Sequence, residues 1–344
     1  MAHNLGRIHV LGLGNLGLLF AHSVAKIIPN PPPITLLLHR DNLLQDWEAA
    51  GQKIEITTCN TPSISTGYEV EDITSTTSSS PIENLILTTK TLRSKQAIES
   101  IKSRLGPQST ILFCQNGMGT IEEVASLFPD RSHRPKFLSA VTKHGVYSTG
   151  PFRCVHAGLA DVTIGHVLSG SEGSSQQAQY LLDKILEAKI LNATEVEARE
   201  LLRVQLEKIA INSVINPLSA LFRLENGELL EYEAITKLAE ALLEETSRVL
   251  QALPEIAYAK AAFEREVLMA QVVDSMKRTA ANVSSMHQDV KASRETEIDY
   301  INGWIVKNGR ALGVDCKNNE KVVKLIKESV ILTVEVIDSH FHLK

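Results

Sequence analysis

Along the first 165 residues the apolar positions come in short, unbroken runs separated by glycines and polar clusters. Runs at 8–13, 34–39, 84–90 and 110–114 read as buried strands, because continuous Val/Ile/Leu segments of this length suit a sheet covered on both faces. A helical pattern follows the first run, and another follows the third over 94–105. Pro29 to Pro33 stop the first helix. Residues 57–81, rich in Thr and Ser, read as short strands and an exposed loop, and 170–175 as a surface loop leading into a helix that ends near 189. Strands broken by glycines over 137–165 suit a sheet extension that closes the first domain. From 195 onward Leu, Ala and Glu recur at helical intervals. The pattern predicts an α/β domain over 1–194 and an all-α domain over 195–344.

The turn after the first strand reads Gly12-Leu13-Gly14-Asn15-Leu16-Gly17. In a strand–turn–helix context the first glycine permits the tight turn and the second lets backbone approach a pyrophosphate. The third lets the helix pack on the strand. The helix start supplies N–H donors and a partial positive charge. At the end of the second strand an acidic residue would favour NAD; Arg40 stands there and favours the 2′-phosphate of NADP. Asp41 follows, as a competing signal or as a helix cap. Lys90 and Asn116 fall at the carboxyl ends of later strands, where open α/β sheets bind ligands.

In the second domain, residues 206–217 read as one helix in which Lys208, Asn212 and Asn216 recur four apart and share a face. Ile209, Ala210, Ile211, Val214 and Ile215 cover the rest of its surface. An amine and two amides thus project from an apolar helix and call for partners, either in a bundle or in a ligand. A second polar stretch, 282–303, breaks the helical pattern. Ile235, Leu238, Leu242 and Val249 form an apolar stripe that serves either as internal core or as a homodimer face.

A net charge of -5 over 344 residues, with Lys and Arg scattered, argues against a general nucleic-acid binder. No apolar segment has the length of a membrane span, and the chain enters a strand pattern almost at once, without room for a signal peptide. Cys59, Cys114, Cys154 and Cys316 lack metal or redox spacing and read as free thiols, which places the chain in the cytoplasm by default. The closing His340 and His342 make a poor metal site, so no metal is expected.

Five motifs in order carry a resemblance: the glycine turn 12–17, then 116–120, 208–217, 284–286 and 296–303. Together they resemble the ketopantoate reductases (2-dehydropantoate 2-reductases), from about residue 7 to about 330. The resemblance implies a Rossmann-type N-terminal domain, a helical C-terminal domain and an active site in the cleft between them. It implies NADPH as hydride donor and reduction of ketopantoate to (R)-pantoate, a step towards pantothenate and coenzyme A. By position, Lys208 matches the family's general acid, and Glu297 a carboxylate near the substrate hydroxyl and the nicotinamide. Asn212, Asn216, Asn226 and Ser285 match residues that hold substrate oxygens. Asn116 matches one at the nicotinamide side, Arg40 the one that meets the 2′-phosphate, and Lys90 a lysine after the third motif strand. The proline insert, the 57–81 loop and Thr142 to Val146 depart from the family pattern on the adenine side. Two rival readings stand beside it: a reductase of another small 2-oxo acid or imine, and a catalytically silent NADP-binding sensor.

Overall fold

The computed structural model describes residues 6–40, 42–74, 78–167, 176–341 and 343. The cap role considered for Asp41, the loop expected over 170–175 and His342 lie outside them. In chain order the α/β part begins with β1 (Ile8–Leu11), α1 (Asn15–Ala25), β2 (Ile34–Leu38) and α2 (Asn42–Ala49). Next come β3 (Ile54–Thr58), β4 (Thr61–Ser65), β5 (Glu69–Asp72), β6 (Asn84–Leu87) and α3 (Thr91–Ser100). It continues with β7 (Thr110–Phe113), α4 (Thr120–Ala125), β8 (Lys136–Thr142), β9 (Gly145–Gly150), β10 (Arg153–Gly158) and β11 (Val162–His166). It closes on α5 (Gln176–Glu187) and β12 (Ala193–Glu195).

Eight strands form one sheet in the order β12-β11-β8-β7-β6-β1-β2-β5, parallel except where β11 runs against β8. Its strands alternate between two cores. Ile8, Val10, Leu36, Leu38, Ile86 and Leu112 pack in one cluster, and Leu11, Leu37, Leu85, Leu87, Ile111 and Phe113 in the other. Both faces are therefore dry, which is why these strands carry continuous apolar runs. The order reverses at β1, whose neighbours are β2 and β6; this is the switch point at which such sheets bind ligands.

The strands expected over 137–165 do not all extend this sheet. β8 and β11 do, whereas β9 and β10 join β3 and β4 in a separate four-stranded sheet, ordered β4-β3-β10-β9. No residue of β9 is fully buried, so its side chains carry no buried stripe that would mark the sheet it belongs to. Helix α1 packs against β1 of the large sheet and against β3, β9 and β10 of the small one. Burial on opposite sides explains why it is apolar almost all round. Leu19 and Phe20 on it are wholly buried, each stabilising the fold by roughly 1.5–3 kcal/mol relative to exposure.

His9 on β1 and His22 on α1 are buried too, and both rings are held neutral, their pKa values lowered to about 4. Burial is the main cause, with Arg104 and Arg7 adding to it at His9 and Lys26 at His22. Between pH 6.5 and about 4 the unfolded chain takes up a proton at each ring that the folded chain refuses. Stability therefore falls as pH drops through that window, by about 3 kcal/mol per ring once both states have passed it. Urea unfolding at pH 7 and at pH 4.5 should show this loss, and His22→Gln should reduce it. A stability independent of pH over this range would contradict the assignment.

The remainder is helical: α6 (Ala198–Phe222), α7 (Glu233–Ala252), α8 (Arg265–Arg278), α9 (Ser285–Lys291), α10 (Asn302–Leu312), α11 (Lys317–Lys327) and α12 (Ile337–His340). The polar stretch 282–303 thus contains a helix, α9, capped by the Ser284 hydroxyl, which accepts from His287 N–H at 3.1 Å. Its seven residues are too few for periodicity to reveal. Ile235, Leu238, Leu242 and Val249 are buried to within 1%, so the stripe is internal core and offers no dimer face. By contacts the chain divides into Met1–Gln115 with Thr120–Leu202, and Asn116–Gly119 with Arg203–Lys344. The division falls inside α6 rather than at 194/195, because β12 is an edge strand of the large sheet. Among the described residues no helix is long and apolar enough to cross a membrane.

Candidate active site

In the α/β unit the glycine turn leaves β1 at the switch point. Gly12 has φ +107°, and a Cβ there would lie 2.3 Å from the Thr89 nitrogen, so only glycine fits. A Cβ on Gly17 would stand 1.9 Å from the Gly12 carbonyl oxygen. The third glycine is thus what lets α1 start against β1. Gly14 differs: it is exposed, and a Cβ there would meet nothing within 4 Å. No side chain caps α1, so its first N–H groups have no side-chain acceptor at the Gly14 end. An open cradle at an uncapped helix start fits a pyrophosphate.

Leu13 is buried in the core, so only its backbone is available to a ligand. Leu16 is half-buried. The Asn15 amide is already engaged, donating to Val146 O at 3.1 Å and accepting from Cys154 Sγ at 3.7 Å. Arg40 is exposed just past β2, and Lys90 is exposed at the start of α3, just past β6.

In the helical unit α6 carries the polar row as expected. Lys208 and Asn212 are half-buried and Asn216 is buried, while Ile209, Ala210, Val214 and Ile215 pack inward. The Asn216 carbonyl lies beside the Ser219 and Ser284 hydroxyls, which meet at 2.6 Å and tie the start of α9 to α6. Ser285, the matched residue, is exposed at the first position of α9, and its buried neighbour Ser284 makes these contacts. Asn226 is buried; its Nδ2 donates to Thr279 Oγ1 at 2.9 Å.

Asn116 and Glu297, 181 positions apart, are brought together, with Asn116 Nδ2 3.5 Å from Glu297 Oε2. The turn that presents Asn116 is fixed by Met118 N–H donating to Tyr300 O at 2.9 Å. Gly117 has φ +81°, and a Cβ there would sit 2.5 Å from the same oxygen. Sequence reading missed Asn302, which is wholly buried and donates to Ser213 O on α6 at 2.8 Å. The available signal was Pro217 inside the helix. Among the described residues no cluster of His, Cys, Asp or Glu is arranged to hold a metal.

A glycine turn at a switch point, in a chain whose helical unit presents an amine and several amides, is the arrangement expected of a dinucleotide-dependent oxidoreductase. The family models for ketopantoate reductase PanE/ApbA and for its C-terminal part match residues 8–169 and 200–330. A ketoisovalerate reductase of Gibberella fujikuroi is 31% identical, over 89% of this chain and 79% of its own. A 2-dehydropantoate 2-reductase of Saccharomyces cerevisiae is 27% identical, over 92% and 93%. Among solved structures, a D-mandelate dehydrogenase with NADH and anilino(oxo)acetate superposes with a TM-score of 0.78 at 19% identity, covering 96% of this chain and 99% of that one. The chain belongs to the ketopantoate reductase family.

Proposed function

We propose that this protein reduces ketopantoate to pantoate with NADPH. The observation that carries the reading is the row on α6, in which one amine is followed at one-turn intervals by two amides. A bound NADPH supplies the hydride. Lys208 Nζ stabilises the negative charge that develops on the carbonyl oxygen and gives it a proton. Asn212 and Asn216 donate to the substrate's remaining oxygens without changing the charge at the site. Glu297, oriented by Asn116, accepts a hydrogen bond from a substrate hydroxyl. Ser285 and Asn226 stand as further contacts to substrate oxygens; Asn226 takes that role only by exchanging its bond to Thr279.

Arg40 and Lys90 are assigned to the cofactor's phosphates. Arg40→Ala should weaken NADPH binding roughly 10- to 100-fold, the loss of a charge-assisted hydrogen bond, while leaving NADH binding unchanged. Equal effects on both cofactors would remove Arg40 from that role.

Likeness to a ketoisovalerate reductase supports a second reading. The two substrates differ by a hydroxymethyl group, and a site built to bind its hydroxyl should reject the acid lacking it by at least roughly 10²-fold in kcat/KM. NADPH oxidation with each acid decides between them. Preference for ketoisovalerate would move the assignment to that acid.

A further inference from the structure

Helix α6 runs through Pro217 without ending. Proline has no N–H, so the carbonyl four residues back, Ser213 O, loses its helical donor, and the ring presses against it. Ser213 is wholly buried, where a carbonyl without a donor is costly. Asn302, 89 positions later and also wholly buried, puts Nδ2 2.8 Å from that oxygen.

The direction of this amide is fixed by its neighbours. Asn302 Nδ2 also donates to Asn319 Oδ1 at 3.0 Å, and Asn319 Nδ2 donates to Leu242 O at 3.1 Å. A backbone carbonyl only accepts, so Asn319 must turn its nitrogen towards Leu242 and its oxygen towards Asn302. Asn319 is itself held by Glu245, whose carboxylate accepts from Asn319 Nδ2 at 2.8 Å and from the Asn318 and Asn319 N–H groups at 2.9 Å. The donor offered to Ser213 is thus anchored to α7 and α11.

Ser213 lies between Asn212 and Asn216, so the missing helical bond falls within the polar row. We propose that Asn302 is a positioning residue that replaces the N–H absent at Pro217. In doing so it fixes where Asn216 stands relative to Lys208 and Asn212. This rests on the reduction of a 2-oxo acid proposed above. Without the Asn302 amide, α6 can open at Ser213 and the third member of the row moves away from the first two.

The test is a double-mutant cycle of Asn302→Ala and Pro217→Ala, read as KM for the oxo acid, kcat, and NADPH affinity by fluorescence. In the native background Asn302→Ala should raise KM by roughly 10- to 100-fold, the effect of displacing a binding group, and leave NADPH affinity unchanged. With Pro217→Ala the backbone provides its own donor to Ser213 O, and adding Asn302→Ala should change KM within about twofold. Unchanged KM in the single variant, or an equal rise in both backgrounds, overturns the assignment. Parallel loss of NADPH affinity would mark a merely structural role and also overturns it. If Asn302→Ala does not fold, the double variant must fold, because its helix is complete; if it does not, the inference fails. A wild-type protein that turns over no 2-oxo acid would instead refute the functional reading, and this inference would fall with it.

Discussion

Lys208→Ala is expected to lower kcat by roughly 10²- to 10⁴-fold, the range for loss of a positioned general acid. Alanine is the best helix former, so α6 should persist through the change. Lys208 belongs to the helical unit and the glycine turn to the α/β unit, so NADPH affinity should stay close to that of the wild type. Steady-state oxidation of NADPH together with a fluorescence titration separates the two quantities. Turnover within a few-fold of wild type would remove Lys208 from the chemistry. A loss of cofactor affinity as large as the loss of rate would assign it to binding instead.

Gly17 and Gly14 of the turn should respond differently to the same added methyl group. Gly17→Ala places a Cβ 1.9 Å from the Gly12 oxygen and 2.7 Å from Thr88 Oγ1, so α1 must move off β1. Overpacking of this kind destabilises by about 1–3 kcal/mol, and the melting temperature and cofactor affinity should fall together. Gly14→Ala adds its methyl to open space at φ -84°, a conformation any residue adopts. Its melting temperature should match wild type. Its NADPH affinity should nevertheless fall roughly 10- to 100-fold, because the methyl occupies the space a pyrophosphate needs. Differential scanning fluorimetry with and without NADPH reads both effects. A Gly14→Ala protein that binds NADPH normally would rule out the cradle.

What the chain discloses before folding follows from how local the physics is. β1, β2, β6 and β7 are legible because a sheet covered on both faces demands unbroken apolar runs. The glycine turn is legible because its steric demands fall within six residues. The row on α6 is visible from a four-residue interval alone. The small sheet is not, because β9 has no buried residue and the sheet closes only where β10 pairs with β3, far away in sequence. The pairing of Asn116 with Glu297 is not legible, because nothing in their own neighbourhoods joins positions 181 apart. Asn302 was missed for a related reason. Its partner is a backbone carbonyl, and the need arises from a hydrogen that Pro217 lacks.

Asn15, the first residue of α1, is fastened to the small sheet through Val146 O and Cys154. That helix end is therefore held in place by the fold itself. A loop that hardened only around its ligand would lose affinity to the entropy of ordering; this one is set by the fold and leaves little of that loss to binding. The small sheet thus acts as a splint that keeps the start of α1 rigid.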